Sequence, residues 1–376
     1  MLDNVRVHGD VQIPPSMPPR PAAPAFSALT ADHLTAKAEY SEQTRHQSRA
    51  TFRLWVELMG NGQVDRYTGR DAGRFQELLR RLPASHGKAV LSKVQLTAPQ
   101  AIDRADASPV PVPRLTEKTI KRHISTLSQY WVQLRRWEHV ARNIFEGMEF
   151  PGTAQRRSKR DDWSPEDINR LLAAAWRSRS VPADTYHWIT VIAAYSGMRL
   201  EEICRLRPLD VTLVGDVPFI LLQEHQDGWS PKSEAGARAV PVHHRLIDCG
   251  FLDLVAKRRS ERAQRLMLGL RPGGANGALG WAFSREFGRH KLAAGVGEKT
   301  VFHSWRHSVS TILRNAGADI RSEWIDACLG HEGGAKSMGA TTYLKRIGSE
   351  NLAKTMAALR YEPDSDPAGL INKTLA

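Results

Sequence analysis

Three short stretches set isolated polar groups in apolar surroundings: "AYSGMRLEEICRL", "FHSWRHSVSTIL" and "CLGHEGGAKSMGATTYLK". In the first, Arg199 follows the Ser196-Gly197 break, so its side chain starts from a turn. In the second, His303 and Arg306 are three residues apart, which makes them neighbours on one helical face. In the third, His331 follows the helix-stopping Gly330, and Tyr343 lies twelve residues further on. Brought together, these groups suit phosphoryl transfer. Two arginines offer planar, permanently charged forks that match phosphate oxygens. Two histidines supply hydrogen bonds and proton transfer near neutral pH. A tyrosine hydroxyl can attack phosphorus and hold it as a covalent phosphotyrosine. No acidic cluster suited to magnesium accompanies them, so the arginines would supply the fixed charge that metals supply elsewhere.

The elements that must position these groups are legible in outline. "TYHWITVIAAYSG" reads as a buried helix ending near Gly197, and "LEEICRL" as a short helix with acids in its first turn. "VTLVGDVPFILLQ" reads as two β-runs joined at Gly215-Asp216, with "ARAVPV" as a third. Residues 246–266 read as a basic helix, and further helices are expected from 281, 304 and 320. Ser164-Pro165-Glu166-Asp167 is a helix start, with an N-cap serine, proline at the first helical position and acids in the first turn. Upstream, Phe52, Trp55, Val56 and Met59 share one helical face, and "TEKTIKRHISTLSQYWVQL" carries a core stripe of Ile120, Ile124, Leu127, Trp131 and Leu134. The opposite face of that helix holds Lys118, Lys121, Arg122, Ser125 and Gln129. Residues 83–113 read as irregular and loop-rich.

The expected organisation is therefore a proline-rich arm at 1–27, a helical domain at 28–150, a linker at 151–162, a second domain at 163–360 and a tail at 361–376. Arg156, Arg157, Lys159 and Arg160 make the linker basic. A length of 376 residues fits two domains of roughly 150 residues each. The formal net charge of +13 points to a polyanionic partner, nucleic acid or an anionic membrane surface. No apolar run has the length of a membrane span, and no secretory signal pattern opens the chain. The three cysteines, Cys204, Cys249 and Cys328, have no metal-type spacing and do not form a disulfide framework. A reducing cytoplasm with access to the nucleoid is the expected setting.

Taken singly, each group has an ordinary explanation. Arg199 alone is a surface arginine at a helix start, Lys232 a solvated loop lysine, His303 and His331 satisfied core histidines, and Tyr343 a packing tyrosine. Taken in order they are a pattern. The second domain resembles the tyrosine recombinase (phage integrase) family. "SGMRLEEICRL" resembles that family's first arginine box, with Arg199 at the catalytic position and Glu202 as the supporting acid. "HSWRH" resembles its His-x-x-Arg box, "LGH" the box of its second histidine, and Tyr343 falls at the place of the nucleophile. "SPKSEAGARAVPV" resembles the β-hairpin whose tip carries a catalytic lysine, here Lys232. The likeness covers about residues 161–360 and, more weakly, the helix at 116–135, which is similar to the family's core-binding domain. The interval from His331 to Tyr343 is a few residues longer than the family's usual one.

The resemblance implies a mainly α fold with a small antiparallel β-sheet in the catalytic domain, and a two-domain DNA clamp. It implies a site-specific recombinase that cuts and rejoins strands through a 3′-phosphotyrosine, without metal, ATP or other cofactor. Arg199, Arg306 and His331 would stabilise the phosphate charge, His303 would assist proton transfer at Tyr343, Lys232 would protonate the departing 5′-oxygen, and His307 would buttress the site. DNA contacts are expected from Lys118, Lys121, Arg122 and Ser125 and from the basic linker. The partners implied are double-stranded DNA with a specific site and a homo-tetramer on two duplexes, with room for accessory DNA-bending or directionality factors and no role for a membrane. Rival readings are a type IB topoisomerase, a non-catalytic DNA-binding regulator on a recombinase scaffold, and a metal-dependent nuclease.

Overall fold

The computed structural model describes residues 22–87, 96–150, 160–231, 233–274, 276–331 and 347–369. The chain divides into two compact units on either side of residue 156.

The first unit is helical: α1 (Thr30–Ala36), α2 (Glu42–Met59), α3 (Gly69–Arg81), α4 (Ala98–Asp106) and α5 (Glu117–Arg136). Local chemistry sets the starts. The Ser41 hydroxyl accepts from the Thr44 N–H at 3.2 Å, and the Thr116 hydroxyl accepts from the Thr119 N–H at 3.3 Å. Thr68 and Thr97 open capping boxes with Asp71 and Gln100. The helices close on an aromatic core in which Trp55, Phe75, Tyr130 and Trp131 are fully buried. Two expectations are revised here. The arm does not extend to residue 27: Phe26 is buried in this core, stacks on Trp55 at 5.7 Å, and its carbonyl accepts from the Tyr130 hydroxyl at 2.7 Å. The stretch 83–113 is not loop throughout. It contains α4, whose Ala98, Ala101 and Ile102 are buried.

The second unit runs α6 (Pro165–Ala173), α7 (Ala183–Ser196), α8 (Leu200–Cys204), β1 (Val211–Val214), β2 (Val217–Leu222), β3 (Arg238–Pro241), α9 (His244–Asp248), α10 (Phe251–Ser260), α11 (Gly280–Ala293), α12 (Ser304–Arg314), α13 (Ser322–Leu329) and α14 (Ser349–Ala357). Ser164 caps α6 by accepting from the Asp167 N–H at 3.2 Å. The sheet is antiparallel in the order β1-β2-β3, with Val214 opposite Val217 across a turn in which Gly215 takes φ +61°. Leu222 of β2 pairs with Arg238 of β3. Among the described residues the chain is thus mainly α with one small sheet, as expected.

α7 is buried on nearly all sides and forms the centre of this unit. The expected basic helix at 246–266 is two shorter helices, because Gly250 at φ +83° separates α9 from α10, and α10 ends at Ser260. Residues 361–369 are no tail. The Tyr361 hydroxyl donates to the Ala194 carbonyl at 2.8 Å, Asp366 accepts from both Tyr195 and Arg245, and Ala368 is fully buried. The C-terminal segment therefore packs against α7.

Candidate active site

α7 ends in Gly197, which takes the left-handed conformation at φ +61°. A Cβ there would lie 2.5 Å from Leu329 Cδ2, so the turn is fixed by packing as well as by φ. The chain then reverses and Arg199 occupies the N-cap of α8. Its backbone N–H donates to Glu202 Oε2 at 2.8 Å, its Nη1 to Glu202 Oε1 at 2.9 Å, and its Nη2 to the Gly330 carbonyl at 3.2 Å.

α13 ends symmetrically in Gly330 at φ +65°, with the Gly330 and His331 N–H groups donating to the Asp326 carbonyl at 2.7 and 3.0 Å. The last carbonyls of a helix lack intrahelical partners and lie at the negative end of its dipole. Here three successive carbonyls each accept from a different arginine. Cys328 accepts from Arg238 Nε at 2.8 Å, Leu329 from Arg306 Nη2, and Gly330 from Arg199 Nη2. Arg306 also donates to the Gly197 carbonyl at 2.9 Å. One helix terminus thus gathers groups that would otherwise repel.

Glu202 supplies the countercharge. It is 3% exposed and accepts from Arg199 and from both terminal nitrogens of Arg238, at 3.1 and 2.9 Å. Burial opposes its ionisation, but Arg238 and then Arg199 prevail and hold its carboxyl down to about 2. Burial, with Arg238 and Arg199 beside it, pushes the Arg306 guanidinium down to about 9, so it stays charged at neutral pH.

His303 is the N-cap of α12 rather than a residue within it, and Arg306 sits in the first turn with its N–H on the His303 carbonyl at 3.1 Å. Burial lowers the His303 imidazole to about 4, and His307, Arg306, Arg160 and Arg199 add to the effect. His307 is exposed and stands edge-on to His303, ring centroids 5.1 Å apart. His331 is held through Nδ1, 3.2 Å from Asp326 Oδ1, and the same oxygen accepts from Arg314 Nη2 at 2.5 Å.

Arg199, Glu202, Arg306 and His331 are therefore brought together around the ends of α7 and α13, with His303 one turn from Arg306. Lys232 and Tyr343 lie outside the described residues, as do Arg156, Arg157 and Lys159. Arg160 is exposed. In the first unit Lys118, Lys121, Arg122 and Ser125 all face solvent along α5, while His123 between them turns inward to Thr51 Oγ1 at 2.8 Å. Arg238 and Asp326 were not expected. The sequence sign of Arg238 is a lone charge in the apolar strand "ARAVPV"; that of Asp326 is a carboxylate five residues before His331, near the end of a helix. Among the described residues, no three His, Cys, Asp or Glu side chains form a set that could hold a metal ion.

Residues 163–338 match the model of the phage integrase family. Over 135 residues the chain is 28% identical to the tyrosine recombinase XerC of Myxococcus xanthus, a match covering 36% of this chain and 42% of that protein, less than half of the relative's length. Among solved structures, the Tn1549 transposon integrase in complex with circular intermediate DNA aligns over 93% of this chain and 99% of its own, with TM-score 0.55 and 16% identity. The lambda integrase tetramer bound to a Holliday junction aligns over 84% and 79%, with TM-score 0.53 and 13% identity. At these identities the likeness is one of fold.

Proposed function

Residues 163–338 form a domain of the phage integrase family, and from that premise we propose that the chain is a site-specific DNA recombinase that works through a covalent 3′-phosphotyrosine. The observation that carries this reading is the convergence of Arg199, Arg306 and His331 on the Leu329–Gly330 turn. Two guanidiniums held there by backbone carbonyls, with an imidazole held by the Asp326 carboxylate, would form a preorganised cationic seat for one phosphate.

The chemistry follows from the roles. Tyr343 attacks the scissile phosphorus and its phenolic proton passes towards His303. Arg199, Arg306 and His331 stabilise the charge on the non-bridging oxygens. The bond to the 5′-oxygen breaks, and Lys232 protonates that oxygen as it leaves. The free 5′-hydroxyl of a partner strand then attacks the phosphotyrosine, which retains the energy of the phosphodiester, so neither ATP nor metal enters. Lys118, Lys121, Arg122 and Ser125 and the basic linker would track the DNA backbone. The lambda integrase likeness supports four protomers on two duplexes. A cytoplasmic enzyme with the chromosome as substrate fits this chemistry.

The test is incubation with nicked suicide duplexes drawn from the DNA bordering its gene, and in parallel with supercoiled plasmid carrying the same DNA. A recombinase gives a denaturation-resistant protein–DNA adduct at a defined site and exchanged products. A type IB topoisomerase gives the adduct and relaxation without exchange, and a regulator gives binding alone.

A further inference from the structure

Arg238 opens β3 and is 1% exposed, so no substrate atom can reach it. Its donors are nearly all committed. Nε serves the Cys328 carbonyl at 2.8 Å, Nη1 serves Glu202 Oε1 at 3.1 Å and the Gly236 carbonyl at 3.0 Å, and Nη2 serves Glu202 Oε2 at 2.9 Å. This one side chain therefore joins the strand that leaves the β2–β3 connection, the α8 turn that presents Arg199 and the α13 terminus that holds Arg306 and His331.

We propose that Arg238 is a positioning residue for strand cleavage, acting through Glu202 and the Cys328–Gly330 carbonyls on the arginines that meet the scissile phosphate. The inference rests on the recombinase reading. Its physical basis is competition for one carboxylate. With Arg238 in place, the two Glu202 oxygens are shared, and Arg199 keeps donors free for a phosphate. Without Arg238, the buried carboxylate has Arg199 as its remaining partner and draws that guanidinium onto itself, away from substrate. The Cys328 carbonyl loses its donor at the same time, next to the carbonyls that orient Arg306 and Arg199. Lysine keeps the charge but not the fork, so it cannot bridge Glu202 and two carbonyls at once.

The test is Arg238→Lys in the full chain, assayed on the duplex that the wild type cleaves. DNA affinity is spread over many phosphates and should stay within a few-fold. Single-turnover cleavage should fall by about 100-fold, the scale expected when a reacting group is misplaced by about 1 Å. The decisive comparison uses the same duplex with a methyl group replacing one non-bridging oxygen of the scissile phosphate. Less charge is left for the arginines to meet, so the defect should shrink at least tenfold. If Arg238→Lys cleaves like wild type, or if its loss is equal on both duplexes, the proposal fails and Arg238 only maintains the fold. Should the lysine variant not fold, Arg238→Gln, which leaves the Glu202 carboxylate in place to draw on Arg199, is read by the same ratio. A wild type that forms no adduct would sink the recombinase reading instead, before any variant is compared.

Discussion

His331 Nδ1 lies 3.2 Å from Asp326 Oδ1, and Arg314 holds that oxygen from the other side. An ionised carboxylate only accepts, so Nδ1 carries the hydrogen and Nε2 is left to turn outward. A neutral ring with that tautomer cannot donate to a phosphate oxygen from Nε2; the imidazolium can. Burial and Arg306 hold the His331 pKa down, while Asp326 raises it.

Replacing Asp326 by Asn removes the raising charge and keeps an acceptor. The His331 pKa should fall, and the loss of cleavage towards alkaline pH should begin at lower pH than in wild type. Single-turnover pH–rate profiles check this, and an unmoved alkaline limb would show that His331 acts without its proton.

Tyr343→Phe removes one oxygen and keeps the ring. Covalent attachment to DNA should vanish, with affinity unchanged within about twofold. An adduct formed by the Phe variant would assign the nucleophile elsewhere.

Lys232→Ala should cleave ordinary DNA more slowly by roughly 10²–10⁴-fold, the usual worth of a general acid. A bridging 5′-sulfur leaves without needing a proton, so on that strand the defect should largely disappear. Equal defects on both strands would make Lys232 a DNA-positioning group.

Chelation by EDTA should leave the cleavage rate unchanged if, as proposed, Arg199 and Arg306 provide the fixed positive charge. Cleavage that stops with EDTA and returns with magnesium or manganese would move the chain to the nuclease class.

The His303 pKa is lowered from 6.5 to about 4 on folding, so between those values the unfolded chain binds more protons. Stability therefore falls as pH drops through that window. His33, His123 and His243 are lowered to about 4 as well and share the effect. His303→Gln should reduce, not abolish, the loss of melting temperature between neutral pH and about pH 4. An unchanged loss would mean that His303 stays protonated in the fold.

What the sequence revealed depended on how local the signal was. The start at Ser164-Pro165, the break at Gly197 and the turn at Gly215 are written in adjacent residues, because caps and turns are settled within a few positions. The grouping of Arg199, Arg306 and His331 was legible as an ordered set. Arg238 was not, since its partners Glu202 and Cys328 lie 36 and 90 residues away and a lone charge in an apolar strand does not name them. The helix at Ala98–Asp106 was missed because proline in its first turn reads as a breaker, although Thr97 and Gln100 make a capping box around it. Residues 361–369 look polar in sequence, yet Ser365 and Ala368 are buried, and Tyr361 and Asp366 bond to Ala194 and Tyr195 of α7.

The motifs "SGMR" and "LGH" join letters held for different reasons. Gly197 and Gly330 are demanded by stereochemistry: both sit at positive φ, and a methyl group would meet Leu329 at 2.5 Å in one case and the Ala235 carbonyl at 2.6 Å in the other. Arg199 and His331 also bond within the fold, but on the proposed reading it is the phosphate that requires a guanidinium and an imidazole there. A lineage that abandoned recombination would be released from the second demand but not from the first. Its motifs would hollow out, with glycines and spacing intact while the guanidinium and imidazole drift to other residues. Sorting working members of such a lineage from retired ones therefore means reading the charged letters and ignoring the glycines.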